Sequence, residues 1–312
     1  LRQRAARRQS PTAPGTIALR LPFRAPLSPE SLFGHLAATG IPGVEEWRNG
    51  AYRRTLRLPH GPGIVALTRQ ADHVATQLSL HDLRDLSTAI ARCRRLLDLD
   101  ADPAAVDEHL CRDETLAAVV RKAPGRRVPR TVDEAELAVR AVLGQQISTS
   151  AARTHAARLV QAHGVAVTDP AGGLTHVFPD VEALTHIDPE TMAFPRARRH
   201  AINALVTALA EGSLDLDPGS DWARARSALG GLPGLGPWTV ETIAMRALGD
   251  PDAFLPGDLG TRRAAALLGL PASPGALTAH SRRWRPWRSY AVQYLWSTAD
   301  HAINRLPTAA VA

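Results

Sequence analysis

Two short stretches carry residues with evident chemical capacity. In LPGLGPWT (Leu232–Thr239) a turn rich in glycine and proline joins helix-like sequence on both sides. Gly234 and Gly236 can adopt backbone angles closed to other residues and can admit another backbone at close range. Pro237 pre-sets the first dihedral of the next helix. The amides at that helix start then point outward with the helix dipole behind them, forming an anion site that reads no base sequence. A nucleic-acid phosphate fits it, and an ordinary tight corner between helices fits the same residues. The second stretch is FLPGDLGTRRA, where Asp258 precedes a helical pattern and reads as an N-cap. A carboxylate held anionic by helix amides can stabilise a developing cation and orient or deprotonate a water molecule.

The elements around these stretches fall into two units. A chain of 312 residues predicts two domains, with 1–15 as a polar, proline-containing linker or tail. From Thr16, TIALRLPF alternates like a half-buried strand. SPESLFGHLAATG follows as a helix, with Ser28 as N-cap, Pro29 at its first position and Gly40 as its stop. AYRRTLRL, GIVALTR and HVATQLSL read as strands separated by turn residues. LRDLSTAIARCRRLLDL closes the unit as a helix, so 16–102 is expected to be a small α+β domain of order β-α-β-β-β-α. Residues 103–312 show almost no period-2 pattern. DEAELAVRAVLGQQ, SAARTHAARLVQAHG, VEALTHI, RRHAINALVTALAEG, WARARSALG, WTVETIAMRALG, LGTRRAAALLG and WRSYAVQYLWSTADHAI read as helices of an all-α domain.

Composition excludes several classes. No apolar run is long enough for a membrane span, and Cys93 and Cys111 are too few for a disulfide scaffold or a four-thiolate metal site, which fits a reducing cytoplasm. Histidines lack metal-ligand spacing, so neither a side-chain metal site nor a cofactor is expected. The net charge of +7 suits a polyanion partner, although arginine-rich, GC-biased coding gives the same balance. RARR (Arg196–Arg199) and RRWRPWR (Arg282–Arg288) are phosphate-contact candidates.

L-P-G-L-G-P-W-T resembles the helix-hairpin-helix of the HhH-GPD DNA glycosylases, which place an essential aspartate a fixed distance downstream. Asp258 stands twenty positions beyond Trp238, where that pattern puts it. AVRAVLGQQIS and RRWRPWRSYAVQYLW are similar to the AlkA-type DNA-3-methyladenine glycosylase II family, as is the extra α+β unit. The resemblance runs from about residue 16 to 306.

It implies a monofunctional glycosylase that flips an alkylated purine of the 3-methyladenine type out of duplex DNA. The enzyme would hydrolyse the N-glycosidic bond and leave an abasic site. Asp258 would stabilise the oxocarbenium-like sugar. Trp238 and Trp296 would line the base pocket, since electron-rich faces hold a cationic base. Thr242 stands where the family carries a tyrosine, which implies a roomier or less aromatic pocket. Gln146 falls where the AlkA type inserts a leucine into the DNA gap, and Gly234 and Gly236 would hold the strand. Lyase members carry a lysine at the Trp238 position. Here that side chain has no amine, and the only lysine, Lys122, lies before the helical motifs. The four-cysteine cluster of the iron–sulfur branch is absent. A monomer acting in the cytoplasm, at the nucleoid, is expected.

Two alternatives stay open: a glycosylase for oxidised or deaminated purines, and a non-catalytic DNA-binding module. The start LRQRAARRQ has no initiating Met and resembles the end of an Ada-type regulator's DNA-binding region, which predicts an upstream fusion.

Overall fold

A computed structural model describes residues 15–191 and 194–307. The expected linker, with its Ada-like tail, lies outside the described residues apart from Gly15.

The chain opens with β1 (Thr16–Pro22), α1 (Pro29–Thr39), β2 (Glu45–Arg48), β3 (Ala51–Leu58), β4 (Gly61–Arg69) and β5 (His73–Leu80). These strands form one antiparallel sheet in the order β1-β5-β4-β3-β2. α2 (Leu86–Leu96) follows, and Leu32, Phe33 and Leu36 of α1 share an apolar core with Tyr52, Leu56, Val65 and Leu78 of the sheet and Cys93 of α2. The sequence reading missed β2. The strand has four residues, EEWR, and no apolar alternation. Charge pairs it instead: its register sets Glu45 opposite Arg54 and Glu46 opposite Arg53.

The rest of the described chain is helical. It runs through α3 (Pro103–Leu110), α4 (Glu114–Lys122), α5 (Glu134–Leu143), α6 (Thr149–His163), α7 (Val181–Thr185), α8 (Arg196–Ala210), α9 (Trp222–Gly231), α10 (Pro237–Ile243), α11 (Leu259–Leu267), α12 (Pro274–His280) and α13 (Arg288–Trp296). Three of these, α3, α4 and α12, were not legible as separate helices. The final helix stops at Trp296 rather than continuing to Ile303. Two-residue strands β6 (Val165–Ala166) and β7 (His176–Val177) pair within this helical region. Asp102, Asp113, Asp133, Asp180, Asp221 and Asp258 each cap a helix by accepting amide hydrogen bonds. After Ile243 the chain widens into a π turn over Ala244–Leu248, which Gly249 ends.

The sheet and the helices meet across β3, which is covered on both faces. On one side Arg53 pairs with Asp169, and the Thr55 hydroxyl donates to the His176 carbonyl. On the other, four charges form a closed network. Glu45 Oε1 accepts from the Tyr52 hydroxyl at 2.5 Å, and Oε2 accepts from Arg140 at 2.9 Å. Glu136 accepts from Arg54 at 2.7 Å and from Arg140 at 2.8 Å. Burial alone would push the Glu45 carboxyl up, but Arg140 and then Arg54 outweigh it and hold it below the ordinary value.

Removing one member would strand its partners in a place with little water. Glu136→Gln is expected to cost about 3–5 kcal/mol of stability, measurable by urea unfolding. For Glu45 the folded pKa lies below the ordinary 4.5. Its stabilisation is therefore complete above that pH and is lost as pH falls through the folded value. Stability curves of wild type and Glu45→Gln should converge on acidification.

Candidate active site

α9 and α10 lie side by side, joined by residues 232–236. Gly234 has φ +80°, and a Cβ on it would come within 2.8 Å of Ala201 on α8, so both backbone and packing require glycine there. Gly236 differs from the expectation. Its φ is −79° and a Cβ would meet nothing within 4 Å, so nothing inside the chain demands glycine. It stands at the N-cap of α10, where no side chain caps the helix.

Asp258 begins α11, and its Oδ1 accepts from the Thr261 amide at 2.8 Å and the Thr261 hydroxyl at 3.0 Å. Two indoles complete the shell. Trp296 Nε1 donates to Oδ1 at 2.8 Å and Trp238 Nε1 donates to Oδ2 at 3.1 Å. All four donors are uncharged, and among the described residues no cation pairs with Asp258. The carboxylate is fixed in place while its negative charge stays uncancelled. Oδ1 carries three of the bonds and Oδ2 one, so Oδ2 has capacity to accept another proton donor.

Asp258, Trp238, Trp296 and Thr242 line one cavity of about 460 Å³. Trp238 and Thr242 lie one helical turn apart, and Arg246 follows by the same spacing on the π turn and lines the same space. The Thr242 hydroxyl is buried without a partner. His35, Leu36 and Thr39 bring α1 of the sheet unit to the wall. A larger and more open hollow of about 740 Å³ lies against α1, β2 and the C-terminal residues, and none of the sequence-assigned site residues lines it.

Gln146 is not in the cavity. It sits exposed in the turn between α5 and α6 with φ +56°, a conformation that costs a glutamine energy. Its neighbour Gln145 holds the turn to the hairpin, donating to the Gly234 carbonyl at 3.0 Å and the Thr239 hydroxyl at 2.8 Å. Arg198 of the RARR run donates to the Gln145 carbonyl at 2.6 Å. In the second basic run, Arg285 and Arg288 both bind Asp252. Trp284 is fully buried, with its indole N–H on Asp113.

Sequence reasoning missed four residues of the site. Thr261 supplies two of the bonds to Asp258. At Gly260 a Cβ would stand 3.1 Å from Asp258 Oδ1 and 3.2 Å from Trp296 Cδ1, so its bareness admits the indole. The sequence offers a signal for both, since they are the first residues of the capped helix. His35 and Arg246 had none, because their meeting depends on how the two units pack.

Residues 18–133 match the family model described as the AlkA N-terminal domain. The chain is 64% identical over 309 residues to the probable bifunctional transcriptional activator/DNA repair enzyme AlkA of Mycobacterium tuberculosis, covering 98% of this chain and 62% of that protein's length. It is 31% identical to DNA-3-methyladenine glycosylase 2 of Escherichia coli over 274 residues, 86% of this chain and 92% of that one. The fold matches the 3-methyladenine DNA glycosylase of Archaeoglobus fulgidus with a TM-score of 0.75 at 20% identity, covering 89% and 97% of the two chains. On the hairpin, the capped aspartate and these matches, the chain belongs to the AlkA-type DNA-3-methyladenine glycosylases of the helix-hairpin-helix superfamily.

Proposed function

We propose that this chain hydrolyses the N-glycosidic bond of alkylated purines in duplex DNA and leaves an abasic site. The observation that carries this reading is Asp258, an anion fixed by four neutral donors on the wall of a cavity shared with two tryptophans. Bond cleavage places positive charge on the sugar, and an uncancelled carboxylate stabilises it. Oδ2 has the capacity to take a proton from the attacking water. An N-alkylated base is already cationic and departs neutral, so no dedicated acid is needed. Indole faces suit such a base.

The hairpin amides and the open space at Gly236 suit a DNA phosphate. The exposure of Gln146, in a turn tied to that hairpin, supports a role for it in filling the gap left by the flipped nucleotide. Trp238 has no amine to form a Schiff base, so the strand stays uncut. The chain spans 62% of the length of its mycobacterial relative. We infer that it forms the repair portion of a similar bifunctional, Ada-type fusion, at work on the chromosome in the cytoplasm. No helix among the described residues is long and apolar enough to cross a membrane.

Incubation with methylated duplex DNA is expected to release 3-methyladenine and leave alkali-labile sites, with no adduct trapped by borohydride. Asp258→Asn puts an amide N–H against donors and removes the charge. Turnover should fall about 10²-fold or more, while the variant still binds abasic-site DNA. Undiminished release would sink the mechanism, and no release from wild type would leave a binding module. Gly260→Ala should push Trp296 and Asp258 apart by a few tenths of an ångström. A roughly tenfold loss in kcat with little change in KM is expected, read from single-turnover and steady-state kinetics.

A further inference from the structure

Three separate elements meet at Gln145, a half-buried residue in the turn between α5 and α6. Its Nε2 donates to the Gly234 carbonyl of the hairpin at 3.0 Å and to the buried Thr239 hydroxyl, in the first turn of α10, at 2.8 Å. Both hydrogens of that amide nitrogen are therefore engaged inside the protein. The Gln145 carbonyl accepts from Arg198 Nη2 of α8 at 2.6 Å. α8 also abuts the hairpin directly, since Ala201 occupies the space that a Cβ on Gly234 would need. One residue thus ties the α5–α6 turn to the hairpin through its side chain and to α8 through its backbone.

The backbone bond has a consequence for the next residue. Gln146 holds φ +56°, a left-handed angle that is strained for glutamine. That angle is a rotation away from the plane of the 145–146 peptide. Flipping the peptide would return Gln146 to a negative φ, but would turn the Gln145 oxygen away from Arg198. The Arg198 bond therefore opposes the flip and holds the turn in its high-energy shape. The turn is short, because Gly144 ends α5 and Ser148 caps α6. Gly144 and Ile147 both line the cavity that holds Asp258, and Gln146 between them is exposed. The strained residue thus stands on the rim of the cavity.

We propose that Gln145 is a positioning residue that couples the hold on the DNA strand to extrusion of the target nucleotide. Its amide locks the turn to the hairpin, and Arg198 locks the peptide that presents Gln146. A phosphate seated on the hairpin amides then sets the reach from the strand to the gap that Gln146 fills. Because the turn is already fixed in the free protein, little ordering of Gln146 remains to be done as the nucleotide leaves the stack. The proposal rests on the glycosylase reading and on the gap-filling role of Gln146 given above.

Gln145→Glu keeps the size of the side chain and removes both N–H donors, setting a carboxylate against the Gly234 carbonyl. The test is single-turnover release from a defined duplex carrying one 7-methylguanine, paired with cytosine or mispaired with thymine. On the paired target Gln145→Glu should slow release roughly tenfold. Gln146→Ala should slow it to a similar degree, and the double variant should exceed the slower single by less than about twofold, because both act through one side chain. The Gln145→Glu defect should shrink by at least about threefold on the mispaired target, whose weakened pair costs less to open. Thermal unfolding confirms that each variant is intact. Should Gln145→Glu fail to fold, Arg198→Met, which frees the peptide and leaves the hairpin contacts, must show the same non-additivity with Gln146→Ala. No slowing, additive losses, or an equal defect on both targets would overturn the coupling and leave the glycosylase reading standing. An undiminished Gln146→Ala would remove the gap-filling role and the coupling with it. A wild type that releases nothing would remove the Asp258 reading and this proposal together.

Discussion

A charge removed from water must be matched by another charge or by a ligand. The seam between the sheet and the helices obeys the first option. Glu45, Arg54, Glu136 and Arg140 alternate in sign, with each held by another member of the set. That seam fixes β2 and β3 against α5, and Arg140 also donates to the Thr39 carbonyl at the end of α1, so the walls of the cavity are tied together. Within the cavity the partners are neutral instead: Asp258 accepts from two indoles and Thr261, and Arg246 bonds to His35. The same wall thus combines cancelled charges that hold the units together with charges that have only neutral partners.

Much of the helical unit was legible because periodicity and capping are local. The hairpin and Asp258 could be read from glycine, proline and an N-cap pattern. Yet capping alone says little about chemistry here, since Asp102, Asp133, Asp180 and Asp221 do the same structural work. Asp113 comes nearer still. It caps α4 and accepts from an indole N–H and a histidine, as Asp258 accepts from two indoles. The difference is that Trp284 is buried whereas Trp238 is 36% exposed beside the cavity. Sequence patterns carry the cap and the spacing; only packing tells an open carboxylate from a closed one.

What was not legible depends on non-local pairing. β2 is a strand because its glutamates face the arginines of β3, a condition that no hydrophobic pattern reports. The four-charge seam mixes residues from β2, β3 and α5. Gly260 is unremarkable as a helix residue until an indole from α13 arrives against it. The sheet unit, which in sequence looks like an appendage, supplies part of the pocket wall through α1.

The π turn at Ala244–Leu248 gives the pocket an unusual route to change. A π turn holds an extra residue, and such bulges recur at functional sites. Losing one residue between Thr242 and Arg246 would tighten the turn to ordinary α-helix and rotate everything beyond it by about 100°. Trp238 and Thr242 would keep their places, and Asp258 would keep its cap on a separate helix, while the guanidinium swung off the wall. A single-codon deletion can thus reshape one wall of the cavity while the capped Asp258 stays where it is.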